Sequence, residues 1–213
     1  MAKIDHHLHT SRYSPDSTID PYELLERARE VGLDGVVITE HDVQWPDDEL
    51  ADLARMAEGL AVLSGAEVST REGHYLVYGL PDMNEAPPGL PLADLLEVVK
   101  RYNAAIVAAH PFRWDQPFDE VITAHGPAFH ALELVSKNIT PQTRKKTARL
   151  VQAHGLGATG SSDAHDINEL GCYFSEFPGP IATIADFVAG LRAKLGRPRH
   201  RPGADLASGP VDD

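Results

Sequence analysis

The sequence predicts an α/β domain closing into a compact, distorted or incomplete βα barrel, with a doubly wound open sheet as the alternative. Three observations lead there. Short β-branched runs alternate with helical patterns roughly six or seven times before Leu195, the signature of a largely parallel inner sheet. With 213 residues, 42% of them hydrophobic, the chain can bury one core of ordinary size. Histidines and carboxylates recur at the C-terminal ends of the predicted strands.

The elements follow in order. Ala2 to Ile4 starts a strand that runs into the first histidines. Asp20-Pro21-x-Glu23 is a helix start: Asp20 can cap, Pro21 suits the first turn and Glu23 can reach back. Leu24, Ala28 and Val31 keep helical spacing and Gly32 offers a stop. Val36-Val37-Ile38 is a buried-strand run. Asp47 to Gly59 forms a polar-faced helix. Val62 to Val68 and Tyr75 to Tyr78 suit a strand pair joined as a hairpin. Leu92, Leu95, Leu96 and Val99 mark a helix; Ala105 to Ala109 is a strand, and Pro117 to Ala124 a short helix. Ala131 to Val135 is a strand, Thr140-Pro141 opens a long helix ending at Gly155, and Gly157 to Ser161 is a strand of small residues. Cys172 to Phe177 is β-like and Ile184 to Leu195 is the last helix. One domain therefore spans residues 1–196, and 197–213, without apolar period, is expected to be a mobile, passive tail.

Charge and cysteine usage narrow the function. A formal net charge of -13 offers no broad basic surface, so no stable nucleic-acid complex is expected, although a local basic pocket leaves nucleotides as substrates. Cys172 is the only cysteine, which excludes an intramolecular disulfide and a multi-cysteine zinc site. No apolar h-region opens the sequence and no run approaches a membrane span, so a cytoplasmic protein without a membrane partner is expected. Oligomeric state is not encoded in any visible pattern.

The strand ends carry the chemistry. Asp5-His6-His7-Leu8-His9, Thr39-Glu40-His41-Asp42, His110-Pro111 and Ser161-Ser162-Asp163-Ala164-His165 each close a predicted strand, and two further strands carry Gly65-Ala66-Glu67 and Glu133. In parallel α/β folds those ends converge on one face, where active sites sit. Residues i and i+2 of a strand share a side, so His7 and His9 can grip one ion while His6 points away; Asp163 and His165 repeat the spacing. Glu67 could bridge two ions, and Asp16 lies in a loop that can reach the same mouth. Taken singly, each has a plain reading: His41 as a helix cap, Glu67 as a solvated carboxylate, His110-Pro111 as a corner. Taken together at strand ends, they point to a metal centre. Imidazole and carboxylate without thiolate suit manganese, iron or zinc, and so many ligands imply two or three divalent ions. His125, His130, His154 and His200 lack this placement and are assigned to surface or packing.

These segments resemble the polymerase-and-histidinol-phosphatase (PHP) family over nearly the whole chain to about Leu195. Asp5-x-His7-x-His9-Thr10 with Ser14-x-Asp16 is similar to its first motif, and Gly35 to Asp42 to its second. Gly65 to Ser69 with Gly73-His74 resembles the third, and His110-Pro111 and Ser161 to His165 the later ones. The resemblance implies a distorted seven-stranded TIM-like (β/α)7 barrel, a site of two or three metals, and hydrolysis of phosphoesters. Carried over by position, His7, His9, Glu67 and Asp163 would surround one ion. Glu67 would bridge to a second held by His110, and Asp16, His41 and His165 would hold a third. A ninth ligand has no clear match; His74, His130 and Glu133 are the candidates. The chain is short for the family, which favours a small or exposed substrate.

The expected reaction is hydrolysis of a small phosphomonoester or nucleotide, with a hydroxide bridging the ions joined by Glu67 attacking phosphorus in line. Arg113, Arg12 and Lys137 are candidates for a cationic phosphate clamp, and Asp163 or a histidine for the leaving-group acid. Two alternatives remain at this stage: hydrolysis of a non-phosphate ester or amide bond at the same centre, and a non-catalytic metal-stabilised binding module.

Overall fold

The computed structural model describes residues 1–207, Gly209 and Val211. In chain order the elements are β1 (Ala2–Asp5), α1 (Pro21–Glu30), β2 (Gly35–His41), α2 (Asp47–Arg55), β3 (Ala61–Ser69), β4 (His74–Tyr78), α3 (Leu92–Arg101) and β5 (Ala105–Ala108). Then come α4 (Phe118–His125), β6 (Ala131–Val135), α5 (Pro141–His154), β7 (Gly157–Gly160), β8 (Tyr173–Phe177), α6 (Ile184–Arg192) and β9 (Arg197–His200). The caps are the ones the sequence encodes. Asp20 accepts from Tyr22 N and Glu23 N, and Thr140 and Thr183 close capping boxes on α5 and α6.

All strands join one sheet in the order β7-β6-β5-β4-β3-β2-β1-β8-β9. β1, β2 and β3 run parallel, as do β5, β6 and β7, while β4 lies antiparallel between β3 and β5. The sheet curls until its ends nearly meet. Ser175 Oγ on β8 accepts from Gly160 N (3.0 Å) and donates to Gly160 O (2.9 Å). A Cβ on Gly160 would stand only 3.1 Å from Phe174 O and from Pro198 Cβ, so only glycine lets β7 come this close. The result is the expected distorted barrel: a mixed, nearly closed sheet, with nine strands among the described residues.

Alternation along each strand sorts residues into inner and outer layers. Val36 and Ile38 pack outward with Leu24, Leu25 and Leu53 of α1 and α2, and Ile106 and Ala108 pack outward with Leu95 and Val99 of α3. Their neighbours Val37, Ala105 and Val107 face inward with Ile4, Leu63 and Leu76, where Phe187 and Leu191 of α6 pack against them. This apolar layer fills one end of the barrel, and the polar donors lie beyond it, with Glu67 four residues on from Leu63 and His74 two residues before Leu76.

The segment beyond Gly196 differs from the expected tail. Arg197–His200 forms β9, antiparallel to β8, and Leu206 and Val211 pack against Val135, Cys172 and Tyr173. An edge strand of sequence RPRH has no apolar alternation to betray it; it is set by its pairing with β8. Ser208, Pro210, Asp212 and Asp213 of that segment lie outside the described residues.

Candidate metal centre

Inward alternation builds the site directly. Leu63, Gly65 and Glu67 are i, i+2 and i+4 on β3, so the strand that supplies an apolar inner residue also supplies the central carboxylate. His74 occupies the inward position two residues before Leu76 on β4. His41 ends β2, Glu133 is on β6, and His7, His9, His110, Asp163 and His165 follow the ends of β1, β5 and β7. Left-handed backbone at Asp42 (φ 58°), His110 (φ 28°) and Asp163 (φ 55°) turns the chain sharply at three of these ends. Such conformations cost about 1–3 kcal/mol each and persist where the surroundings over-determine them, as at functional sites.

Three donor groups result. His7, His9, Glu67 and Asp163 form the first, Glu67, His74 and His110 the second, and His9, His41 and His165 the third. His7 Nε2 lies 3.4 Å from Glu67 Oε2 and 3.2 Å from Asp163 Oδ1; His9 Nε2 lies 3.3 Å and 3.5 Å from the same two oxygens. Glu67 Oε1 faces His74 Nδ1 at 2.9 Å and His110 Nε2 at 3.0 Å. Asp16 Oδ2 lies 3.2 Å from His41 Nε2 and 3.4 Å from His165 Nε2, and those two nitrogens are 3.5 Å apart. Atoms bound at about 2.1 Å to one ion stand about 3.0–3.4 Å from each other, so the donor spacing fits divalent cations.

The tautomers fit as well. His7 Nδ1–H donates to Glu133 Oε1 (3.0 Å). Ser14 Oγ–H donates to Glu40, so Ser14 Oγ accepts from His9 Nδ1–H (3.3 Å). His165 Nδ1–H donates to Asp163 O (3.1 Å). In each ring the other nitrogen, Nε2, is left with its lone pair aimed into the cluster, the arrangement by which outer partners orient metal-binding histidines. His7 Nε2 and His9 Nε2 are buried and make no hydrogen bond at all. A buried unpaired nitrogen is costly unless something else satisfies it.

Electrostatics favour cations. Burial would raise the pKa of Glu67, yet His7, His110 and His41 hold it well below the ordinary carboxylate range. Burial likewise opposes ionisation of Asp163 and Glu133, and His7 overrides it in both. Burial opposes protonation of His9, but Asp163 and Glu67 push it up to about 9. His7 is raised well above the ordinary imidazole range, against the same opposition from burial, by Asp163, Glu133 and Glu67. Ionised carboxylates thus draw positive charge to this point, and metal ions compete with protons for the same nitrogens.

The structure brings His7, His9, Asp16, His41, Glu67, His74, His110, Asp163 and His165 together at one mouth. His6 turns away, as expected, to Tyr78 Oη (2.9 Å) and Ser175 Oγ (3.2 Å). Of the three candidates for the ninth position, His74 joins a donor group. His130 caps Ile106 N at the start of β5, opposite the mouth. Glu133 lies behind His7: one oxygen serves His7 and Ser161, and the other accepts from His110 N (2.7 Å). The cations divide too. Arg113 Nη1 reaches to 3.6 Å from Asp163 Oδ2. Arg12 is instead bound to Glu49 of α2 (2.8 Å) and Lys137 to Glu169.

Other residues enter that sequence reasoning did not assign. Asn138 Nδ2 donates to Asp163 Oδ2 (2.5 Å), and Trp114 packs edge-on against His74 and His110. Buried Glu40 accepts from Thr10 N (3.1 Å), Ser14 Oγ and Trp45 Nε1 (2.9 Å), so it anchors the loop that orients His9. Strand parity signals Glu40, since a neighbour of inward His41 must face the opposite way; Asn138 and Trp114 carry no such signal.

Residues 5–136 match the PHP domain and residues 141–194 the PHP-associated region. The chain belongs to the PHP domain family. A protein of Methanocaldococcus jannaschii, uncharacterized MJ1587, is 31% identical over 120 residues, spanning 52% of this chain and 68% of its own. A two-domain Bacteroides vulgatus protein containing a predicted PHP-like metal-dependent phosphoesterase superposes with a TM-score of 0.72 at 19% identity, over 94% of this chain and 65% of the other. An amidohydrolase from Chromobacterium violaceum does so at 0.66 and 19%, over 95% and 99%. The lesion-specific endonuclease PfuEndoQ from Pyrococcus furiosus gives 0.66 and 19%, over 90% and 56%. At these identities the solved structures share the fold. No helix among the described residues is long and apolar enough to cross a membrane.

Proposed function

We propose that this chain is a metal-dependent phosphoric ester hydrolase acting on a small phosphomonoester or nucleotide. The observation that carries the reading is the set of three histidines, His7, His9 and His165, whose Nδ1–H groups are engaged from behind and whose Nε2 lone pairs converge on Glu67, Asp163 and Asp16. His7, His9, Glu67 and Asp163 would hold one divalent ion, Glu67 with His74 and His110 a second, and Asp16, His41 and His165 a third. Manganese, iron and zinc all suit this donor chemistry. Bound ions would supply an activated water and neutralise phosphoryl oxygens, the two things hydrolysis of a phosphate ester lacks in solution.

The chain's own residues do the rest. Arg113 would add a fixed positive fork beside Asp163 where phosphoryl oxygens gather. Glu133, Ser14 and the Asp163 carbonyl hold the imidazoles to one orientation, so the donors need no rearrangement as charge develops. Asn138 fixes the Asp163 carboxylate from the opposite side to His7. Arg12 and Lys137, already paired elsewhere, are left out of the clamp.

The test is elemental analysis of protein purified without chelators, followed by turnover of a panel of phosphorylated metabolites, nucleotides, carboxylic esters and amides. Bound divalent metal, hydrolysis confined to phosphoesters and inhibition by inorganic phosphate are expected. Turnover confined to esters or amides, or metal binding without turnover of anything, would refute the phosphoesterase assignment.

A further inference from the structure

One exposed aromatic side chain stands at the site. Trp114 is 63% exposed, and its ring lies edge-on to two imidazoles of the second donor group, 5.3 Å from His74 and 5.8 Å from His110 between centroids. Single exposed apolar residues are ordinary on protein surfaces. This one is unusual in its company. The Arg113 guanidinium sits 4.2 Å from the Trp114 centroid and, through Nη1, 3.6 Å from Asp163 Oδ2. One cation therefore joins the centre of the donor cluster to an indole in water. The backbone that presents them is left-handed at Phe112 (φ 69°), Trp114 (φ 54°) and Asp115 (φ 55°), a conformation bulky side chains avoid unless it is imposed. Phe112 anchors the segment from below against Phe118, at 5.6 Å between centroids.

We propose that Trp114 is a stacking platform that makes mononucleotides the preferred substrates of this centre. The inference rests on the phosphoesterase reading and deepens it. A phosphoryl group at the donor cluster beside Arg113 would leave the remainder of the substrate to extend over the indole. A flat π-system gains most there, because every nucleobase offers a face to an aromatic side chain and the neighbouring guanidinium can stack on it as well. A sugar phosphate or glycerol phosphate would keep the phosphate contacts and gain nothing from the indole. A polymer is disfavoured: with a net charge of -13 the chain lacks the extended cationic track that a long phosphodiester backbone needs.

The experiment is calorimetric binding of adenosine 5′-monophosphate, ribose 5-phosphate and inorganic phosphate to metal-loaded wild type, Trp114→Ala and Trp114→Phe, with metal content measured in all three. Alanine should weaken the nucleotide roughly five- to 150-fold, the range of one lost base–aromatic stack. Ribose 5-phosphate should change less than twofold, and phenylalanine should recover most of the nucleotide affinity. Equal weakening of all three ligands, or loss of metal in the variants, would mean that Trp114 only supports the imidazoles, and would overturn the proposal. So would a nucleotide affinity indifferent to Trp114. The two simpler ligands report on the underlying reading separately. If they bind but the nucleotide does not depend on Trp114, stacking alone falls; if no phosphate binds and no phosphoester is hydrolysed, both fall.

Discussion

Glu133→Gln isolates the rear support of the site from its candidate metal donors. The Glu133 carboxylate is fully buried and takes three donors: His7 Nδ1–H at 3.0 Å, His110 N–H at 2.7 Å and the Ser161 hydroxyl. A carboxylate only accepts, so it can serve all of them. A glutamine of the same shape must turn its NH2 toward either the His7 and Ser161 side or the His110 side. Either way at least one donor faces another donor in a dry pocket. An unsatisfied buried group costs about 1–3 kcal/mol, and the lost charge assistance adds to it. If the amide nitrogen faces His7, the ring is driven toward the tautomer that carries its proton on Nε2, where the ion would sit.

Metal affinity should therefore fall about 10- to 100-fold, the usual range for an outer partner of a metal-bound histidine. Competition against a chromogenic chelator reads the affinity, and circular dichroism confirms that the variant folds. A folded variant that binds metal within twofold of wild type would show that Glu133 does not set the state of His7, and the tautomer argument for the whole site would lose its main support.

The three candidate clamp cations should separate: Arg113→Ala raises KM for phosphorylated substrates about tenfold, as expected for one lost charge-assisted contact, whereas Arg12→Ala and Lys137→Ala leave it within twofold. Steady-state kinetics decides, and a large effect at Arg12 would mean that its Glu49 pairing opens in solution. Burial, with Asp5 adding to it, pushes the Cys172 thiol up to about 12, so native protein should resist iodoacetamide at pH 8 while denatured protein reacts. The folded chain then keeps a proton that the unfolded chain loses above about pH 9, so this thiol's contribution to stability declines as pH rises from there toward 12. Truncation after Gly196 removes β9 and the Leu206 and Val211 contacts, and should lower Tm in a thermal melt; an unchanged Tm would return that segment to the status of a passive tail.

The strands that build the site are legible because their signals are local. Val36-Val37-Ile38 is an apolar run that leads through Thr39 and Glu40 to His41, Ala105 to Ala109 is one that ends at His110, and strand ends of one direction share a face. The i, i+2 rule separates His6 from His7 and His9 without any structure. What is not legible depends on distant partners. Arg12 and Arg113 each follow a site histidine by three residues; only the fold shows that Glu49 of α2 claims the first. His74 and Glu133 are both inward strand residues. They differ because β4 pairs beside β3, which sets His74 next to Glu67, whereas Glu133 on β6 comes up behind His7 and beneath His110. β9 pairs with β8 through its backbone and through the Arg199–Glu176 ion pair (2.9 Å), a distant partner that the run RPRH does not reveal by itself.

Register explains how the sheet gathers so many donor side chains at one mouth. Alternation is unbroken along β3 from Leu63 to Glu67, so a single face of that strand delivers Leu63 to the apolar floor and Glu67 to the cluster. Gly65 stands between them because a Cβ there would meet Tyr78 Cδ1 at 2.6 Å. The space that glycine leaves is filled by the Tyr78 ring, whose hydroxyl donates to His6 O (2.8 Å) and accepts from His6 Nδ1 (2.9 Å). Tyr78 and His6 thus form a neutral, hydrogen-bonded layer between hydrocarbon below and charge above. Burial drives the His6 pKa down to about 4, so this layer carries no charge of its own near neutrality. A one-residue slip of β3 would send Glu67 to the helices and Ala66 to the cluster, leaving the imidazoles without their shared carboxylate. The same apolar burial that closes the barrel therefore fixes the position of the residue on which all three donor groups depend, directly in two of them and through the orientation of His9 and His41 in the third.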